Sequence, residues 1–141
     1  MRDMSAFPTR MRTEIEEIPS VVERFVAESG GDIGAAAAAI RSADPAWISL
    51  VARGTSDHAA LFMRYLIEIE LGIPAGLAAP STVTIYGAEL AWRRGAVIAV
   101  SQSGRSPDLI AFLEAARAGG APTVAIVNDA ASPLAAAADH V

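Results

Sequence analysis

The sequence predicts an α/β domain in which a parallel sheet lies between two layers of helices, forming a three-layer α/β/α sandwich. Three observations predict it. The chain has 141 residues, 52% of them hydrophobic, which is enough for one domain with a buried core. After Pro45, short apolar runs alternate with helical patterns. The runs are apolar at successive positions, as in strands buried on both faces, and the intervening helices imply right-handed crossovers between parallel strands.

Residues 1–44 are predicted to form a helical preface. Apolar residues three and four positions apart predict an amphipathic helix. They are Met11, Ile15, Ile18, Val22, Phe25 and Val26. Pro19 lies within this stripe and predicts two helical pieces, because proline disfavours helical geometry in the residue before it. The sequence Gly30-Gly31-Asp32 predicts a C-cap, a turn and a new N-cap ahead of a helix over residues 33–40.

Residues 45–141 form the predicted α/β domain, which opens with a strand over residues 47–52. The next helix is expected to end at Gly72 and to turn one apolar face inward. That face comprises Ala59, Phe62, Met63, Leu66 and Ile67. A weaker strand over residues 75–79 follows, and then a short helix to about Tyr86, capped by Ser81 or Thr82.

The second half of this domain begins with its clearest strand, over residues 95–100. Ser106 is a good N-cap for the following helix, with Pro107 at the first helical position and Asp108 in the first turn. Four residues of this helix are expected to face inward before Gly119 ends it: Leu109, Phe112, Leu113 and Ala116. A strand over residues 123–127 precedes a short helix that starts at Ser132-Pro133 and ends near Asp139.

Composition argues against several classes of function. A net charge of -5 and no basic stripe argue against a nucleic-acid partner. The absence of cysteine and the presence of two histidines argue against a metal site. No run approaches the roughly 20 apolar residues that span a bilayer, and no apolar region follows the first charges. We therefore expect no metal, no membrane contact and a cytoplasmic location.

Two polar loops carry the functional signal, since each follows an apolar run and opens a helix. The first loop is Arg53-Gly54-Thr55-Ser56-Asp57-His58. The second loop is Ser101-Gln102-Ser103-Gly104-Arg105-Ser106-Pro107-Asp108. Free backbone N–H groups and the helix dipole favour an anion at such a place, and a phosphate is the natural occupant. Ligands of open parallel sheets bind beyond the carboxyl ends of the strands, so both loops are expected to face one crevice.

Together with the opening Met11-x-x-Glu14-Ile15-x-Glu17-x-Pro19, these loops resemble the sugar isomerase (SIS) domain family, whose fold is flavodoxin-like. Within it they are similar to the isomerase half of glucosamine-6-phosphate synthase and to stand-alone glucosamine-6-phosphate deaminases. The resemblance covers residues from about 11 to 141. It implies binding of a phosphosugar of the fructose 6-phosphate or glucosamine 6-phosphate class. The implied phosphate ligands are Ser101, Gln102, Ser103 and Ser106, with Thr55 and Ser56 contacting the sugar from the other loop and Gly54 and Gly104 allowing close backbone approach.

The chain departs from the synthase pattern in two ways. Arg105 stands where the synthase has Glu, and no glutaminase domain with a cysteine nucleophile is present. Both departures favour the deaminase-like branch, and Arg105 is interpreted either as support for the anion site or as a solvated surface residue. The resemblance also implies a fifth strand beginning near His140 and a second SIS domain bearing the catalytic Glu, Lys and His. We therefore expect a truncated chain that binds substrate without turning it over.

The remaining expectations concern catalysis and assembly. Asp57 and His58 are the titratable residues closest to a motif, but they are interpreted as a first-turn acid and a partly buried helix residue. No catalytic residue is assigned and no cofactor is expected. The resemblance implies a homodimer, with helices such as that from Met11 to Val26 packing between subunits.

Three other classes of function are compatible with an α/β domain. A dinucleotide-binding enzyme is disfavoured because no G-x-G-x-x-G follows the first strand. A serine hydrolase is disfavoured because Ser103 lacks the first glycine of G-x-S-x-G. The stronger alternative is a SIS module that senses sugar phosphates within a transcription regulator. Such regulators carry a basic helix-turn-helix, whereas the preface here is short and acidic.

Overall fold

A computed structural model describes residues 9–141, so residues 1–8 of the predicted preface lie outside the described residues. Helices and strands alternate after two N-terminal helices. The elements are α1 (Arg10–Glu28), α2 (Gly30–Ala43), β1 (Trp47–Ala52), α3 (Ser56–Leu66), a π-helical turn (Ile67–Leu71), β2 (Ala75–Leu77), α4 (Ser81–Thr84), β3 (Gly95–Ser101), α5 (Pro107–Ala118), β4 (Thr123–Val127) and α6 (Pro133–Ala137). The four predicted strands are confirmed, although β2 is shorter than expected. The division of the chain at residue 44 stays a prediction.

The strands form one parallel sheet in the order β2-β1-β3-β4. The central pair, β1 and β3, is in register over six residues, from Trp47 opposite Gly95 to Ala52 opposite Val100. Because all strands run the same way, their carboxyl ends meet at one edge of the sheet. The predicted parallel α/β class is confirmed.

Helices cover both faces of the sheet, because alternate strand residues point to opposite sides. On one face Val51, Val97 and Ala125 pack against α5 and α6, including Phe112 and Leu134. On the other face Leu50 and Ile98 pack against α2 and α3, through Ala36 and Ala60. The two clusters on opposite sides of a single sheet confirm the three-layer α/β/α sandwich.

The preface differs from its prediction at Pro19 and at the glycine pair. Helix α1 runs through Pro19 without a break, so the prediction of two pieces is wrong. None of its residues is buried, and the Ile15 carbonyl that loses its N–H partner to proline is therefore accessible to water. Ser29, rather than Asp32, separates α1 from α2, and Gly30 and Gly31 form the first turn of α2.

Helix α3 has its inward face one position further along than predicted. Ala60 and Ile67 are buried and Met63 is half-buried, whereas Phe62 and Leu66 are exposed. Ala59 is exposed as well. Two adjacent stripes of this helix are apolar, and a shift of one residue rotates a helix by about 100°. The apolar pattern alone therefore could not choose between the stripes.

Helix α4 begins after Pro80 without the predicted side-chain cap. The Thr82 hydroxyl donates to the Ala79 carbonyl and the Thr84 hydroxyl donates to the Pro80 carbonyl. The N-cap position is occupied by Pro80, whose side chain has no hydrogen-bonding group, and no side chain caps the first turn, so the capping prediction for Ser81 or Thr82 is wrong.

The segment after α6 returns to the sheet. Asp139, predicted to end that helix, instead accepts hydrogen bonds from the backbone N–H and the hydroxyl of Thr123, and it pairs with Arg117 at 2.8 Å. His140 then makes an isolated parallel bridge to Val124. The expected fifth strand is thus represented in the described residues by a single bridge beside β4.

The amino ends of β1 and β3 rest on an aromatic stack. The Trp47 and Trp92 rings are 6.4 Å apart, and Trp92 meets Phe112 edge-on at 5.3 Å. A Cβ at Gly95 would collide with the Trp47 ring, and one at Gly119 would collide with Trp92. These two positions require glycine because of close packing.

The π-helical turn is tied to β2 through Glu68. Its carboxylate accepts from the Ala75 backbone N–H at 3.3 Å and from Arg64 Nε at 3.2 Å. The hydrogen bond from Ala75, followed by that from Arg64, holds the pKa of Glu68 below its usual value. The charged form of Glu68 therefore stabilises the folded chain.

We predict that Glu68→Gln lowers the free energy of unfolding at pH 7 and that its difference from the wild type shrinks in acid. Because the folded-state pKa is depressed, the stabilisation is complete above the unfolded value of about 4.5 and is lost as the pH falls through the folded value. Urea unfolding at pH 7 and at pH 3–4 measures this. Glu70→Gln, at an exposed position of the same turn, is the matched control. A pH-independent difference between Glu68→Gln and the wild type would contradict the prediction.

Candidate functional site

The two polar loops leave the same edge of the sheet as neighbours. The last pair of the β1–β3 ladder is Ala52 opposite Val100, and the first loop begins one residue later. An ion pair joins the two loops directly, since Arg53 Nε lies 2.7 Å from Asp108 Oδ2. The two loops therefore lie side by side at one edge of the sheet, as predicted, while their sharing of one ligand crevice and the ligand roles of their residues stay predictions.

The first loop presents small polar groups at the start of α3. Gly54 has a left-handed backbone with φ of +59°, and its carbonyl accepts from the Asp57 N–H. Thr55 is exposed and Ser56 half-buried. Thr55 occupies the N-cap position without a side-chain capping bond, which leaves its hydroxyl available for a ligand.

The second loop is held in shape by its own serines. Ser101 is buried and its hydroxyl oxygen accepts from the Gly104 N–H at 3.1 Å. The Ser103 hydroxyl oxygen accepts from the Arg105 N–H at 3.3 Å. Both hydroxyls act here as acceptors, so each still has a proton to donate. Gln102 and Ser103 are exposed at the mouth of the crevice.

Helix α5 begins at this second loop with free donors. Ser106 occupies the predicted N-cap position in extended geometry, but its side chain makes no capping bond. Pro107 has no N–H, and the N–H groups of Asp108 and Leu109 precede the first intrahelical donor, Ile110. A twelve-residue helix thus directs its positive dipole end and two backbone donors at the crevice.

Both arginines of the two polar loops are paired with carboxylates. Arg105 is exposed and lies 3.5 Å from Asp129, in the turn after β4, which supports its interpretation as a surface residue. Asp57 is half-buried, in agreement with a first-turn acid. His58 is exposed, which corrects its expected partial burial and follows from the rotated inward face of α3.

Sequence reasoning missed the pairing of Arg53 with Asp108, although both residues belong to the quoted loops. The available signal was one basic residue directly after a strand and one acidic residue in the first turn of a helix. Their proximity depends on β1 and β3 being adjacent, which sequence spacing alone does not state.

The described residues form neither a metal centre nor a membrane-spanning helix. Over residues 9–141, no cluster of three or more histidine, aspartate and glutamate side chains is placed to hold a metal ion. No helix in that range is long and apolar enough to span a membrane. Two cavities, of about 300 and 380 Å³, lie along β2 and between residues 83–92 and α5, and neither is lined by residues of the two polar loops.

Comparison of the sequence with protein families gives one match. The sequence model of the SIS domain matches residues 42–141. Among curated proteins, the chain is 36% identical over 140 residues to the glutamine–fructose-6-phosphate aminotransferase (isomerizing) of Symbiobacterium thermophilum. That alignment covers 93% of this chain and 22% of the relative. The chain therefore spans about a fifth of the length of the curated relatives it matches.

Solved structures give the same fold. A candidate phosphosugar isomerase from Silicibacter pomeroyi DSS-3 superposes with a TM-score of 0.88 at 45% identity, covering 94% of this chain and 40% of that one. The sugar isomerase domain of an RpiR transcription factor from Sphaerobacter thermophilus superposes with a TM-score of 0.73 at 28% identity. It covers 96% of this chain and 74% of that one.

We predict that Gly104→Ala destabilises the chain more than Gly54→Ala. Both glycines have φ near +60°, which costs an alanine about 1–2 kcal/mol. A Cβ at Gly104 would also collide with the Ser132 side chain, whereas a Cβ at Gly54 would meet nothing within 4 Å. Crowding adds about 1–3 kcal/mol for Gly104. Urea unfolding of the two variants measures the difference, and equal losses would contradict the prediction.

Proposed function

The chain belongs to the SIS domain family, and from that premise we propose that its crevice binds a phosphorylated sugar of the fructose 6-phosphate or glucosamine 6-phosphate class. One observation carries the proposal. Two hydroxyl-bearing loops leave adjacent parallel strands at the same edge of the sheet, and one of them opens α5 with uncapped N–H groups.

The phosphate is assigned to the second loop. Its proposed ligands are the side chains of Ser101, Gln102, Ser103 and Ser106, and Gly104 allows the backbone to approach the phosphate closely. Neutral donors suit a dianion, since a hydrogen bond to a charged group contributes about 1.5–3 kcal/mol and the dipole of α5 adds to it. Gly54, Thr55 and Ser56, from the other loop, are assigned to the sugar.

Within a larger protein, this domain would form the phosphosugar-binding half of an aldose–ketose isomerase or aminosugar-phosphate deaminase. The lengths of the curated relatives support this placement, and the catalytic groups are assigned to other parts of such a protein. We place it in the cytoplasm, where phosphorylated sugars are metabolised. Neither cofactor nor metal enters the proposal.

A sugar-phosphate sensor is the second candidate function. The structural similarity to an RpiR sugar isomerase domain at 28% identity favours it. Both functions use the same crevice and differ in what binding controls. Isomerase or deaminase turnover by a larger protein that contains this domain would select the first function, and DNA binding that changes with sugar phosphate would select the second.

We also propose a homodimer built on α1. Its apolar stripe has no cover among the described residues, and five residues of the stripe are 53–71% exposed: Met11, Ile15, Ile18, Val22 and Phe25. The spacing of four and three residues is the heptad pattern of helices that pack on one another. A second copy of α1 would bury this stripe.

We predict that fructose 6-phosphate or glucosamine 6-phosphate raises the melting temperature of the chain. Ligand at one hundred times its Kd stabilises a folded protein by about 2.7 kcal/mol. Replacing both Ser101 and Ser103 with alanine should abolish the rise, because it removes two donors from the phosphate site. Differential scanning fluorimetry measures each shift against the same variant without ligand.

Two controls sharpen this experiment. Ser42→Ala, at an exposed position of α2, should keep the full shift. Ser103→Ala alone leaves the buried Ser101 bond intact and should reduce the shift without loss of folding. No shift with any sugar phosphate, or an equal shift with unphosphorylated fructose, would refute the proposed site.

We predict that Ile18→Asp converts the dimer into a 14.6 kDa monomer, because a carboxylate in the stripe cannot be buried cheaply. Sedimentation velocity measures the mass. Thr13→Asp places the same charge on the polar face of α1 and should leave the dimer intact. A wild-type chain that sediments as a monomer at micromolar concentration would contradict the proposed dimer.

A further inference from the structure

We propose that Arg53 is a positioning residue that acts through Asp108. By neutralising that carboxylate, it keeps the N-terminus of α5 receptive to a dianion. The inference rests on the proposed function and deepens it, because it assigns the charge balance of the same crevice to two residues outside the expected phosphate ligands.

The contact between the two residues supports this role. Arg53 directly follows β1 and Asp108 lies in the first turn of α5, so the pair bridges the crevice from one loop to the other. Arg53 Nε lies 2.7 Å from Asp108 Oδ2, while the Arg53 side chain is 64% exposed and that of Asp108 is 24% exposed. The mouth of the crevice thus holds the arginine, and the carboxylate lies deeper.

The negative charge on Asp108 Oδ2 is balanced by Arg53. The oxygen is buried and accepts no hydrogen bond from the residues the structure describes. The 2.7 Å contact is therefore an ion pair in which the Arg53 N–H is not aligned with the oxygen. Without Arg53, a carboxylate with one buried and unpartnered oxygen would remain beside the site proposed for the phosphate.

The position of Asp108 makes neutralisation necessary. A negative charge in the first turn stabilises an empty helix N-terminus, because it interacts with the same positive dipole end that an anion would use. A bound phosphate dianion would meet this carboxylate at close range, where like charges repel. Arg53 cancels the repulsion, whereas Arg105 is already paired with Asp129 on the far side of the loop.

The test is a charge-rescue series on the 141-residue chain, with fructose 6-phosphate and glucosamine 6-phosphate as the probes in titration calorimetry. We expect Arg53→Gln to weaken binding about tenfold, which corresponds to about 1.4 kcal/mol. Asp108→Asn should bind as tightly as the wild type or more tightly. Combining Asp108→Asn with Arg53→Gln should restore affinity to within about threefold of the wild type.

Two further variants separate charge balance from other roles. Arg53→Lys keeps the positive charge and should stay within about threefold of the wild type. Arg105→Gln is the matched control, since it removes a similarly exposed arginine that pairs with Asp129 instead of Asp108, and it should change affinity less than threefold. Circular dichroism of every variant checks folding.

The outcomes are distinguishable. If the wild type binds neither sugar phosphate, the proposed function fails and the inference falls with it. If the wild type binds and the double variant is as weak as Arg53→Gln, Arg53 contacts the ligand itself; the inference is then overturned while the proposed function stands. If Asp108→Asn alone weakens binding, the pair serves only to hold the loops, and the inference is again overturned.

Discussion

Neighbouring strands of a parallel sheet lie about 4.8 Å apart and end at the same edge of the sheet. This spacing determines where the two polar loops lie in this domain. Because β1 and β3 pair in register from Trp47–Gly95 to Ala52–Val100, the loops that follow these strands lie side by side. The pairing of β1 with β3 therefore positions the candidate site, and the serines depend on that pairing for their placement.

The electrostatics of the crevice are local. A chain with a net charge of -5 repels anions at long range, and salt screens that repulsion beyond about 10 Å. At short range the donors are uncharged hydroxyls, backbone N–H groups and a helix dipole, and the nearby cations Arg53 and Arg105 are each paired with a carboxylate. The affinity of such a site for an anion would come from the placement of these neutral donors. Its charge balance would come from the two ion pairs, each of which joins two different loops.

Strands β1 and β3 were predictable because they are buried along most of their length and each is a continuous apolar run followed by polar residues. The α5 residues Leu109 and Phe112 were predictable for a similar reason, since a single apolar stripe leaves one choice of face. Helix α3 has two such stripes, so packing against the sheet decided the outcome, and Phe62 lies outside. The two loops could be located from the sequence. The pairing of Arg53 with Asp108 could not, because it depends on the order of the strands in the sheet. The ligand roles of the serines could not be derived either, because they depend on the bound ligand.

The aromatic stack at the opposite end of the sheet has a spectroscopic consequence. Both tryptophans of the chain, Trp47 and Trp92, lie near the amino ends of β1 and β3, and a six-residue strand is about 16 Å from first residue to last. Their indole emission therefore reports whether the base of the domain is folded and is insensitive to direct quenching at the other edge. A change in that emission on adding a small solute would mean that an effect had travelled the length of the strands.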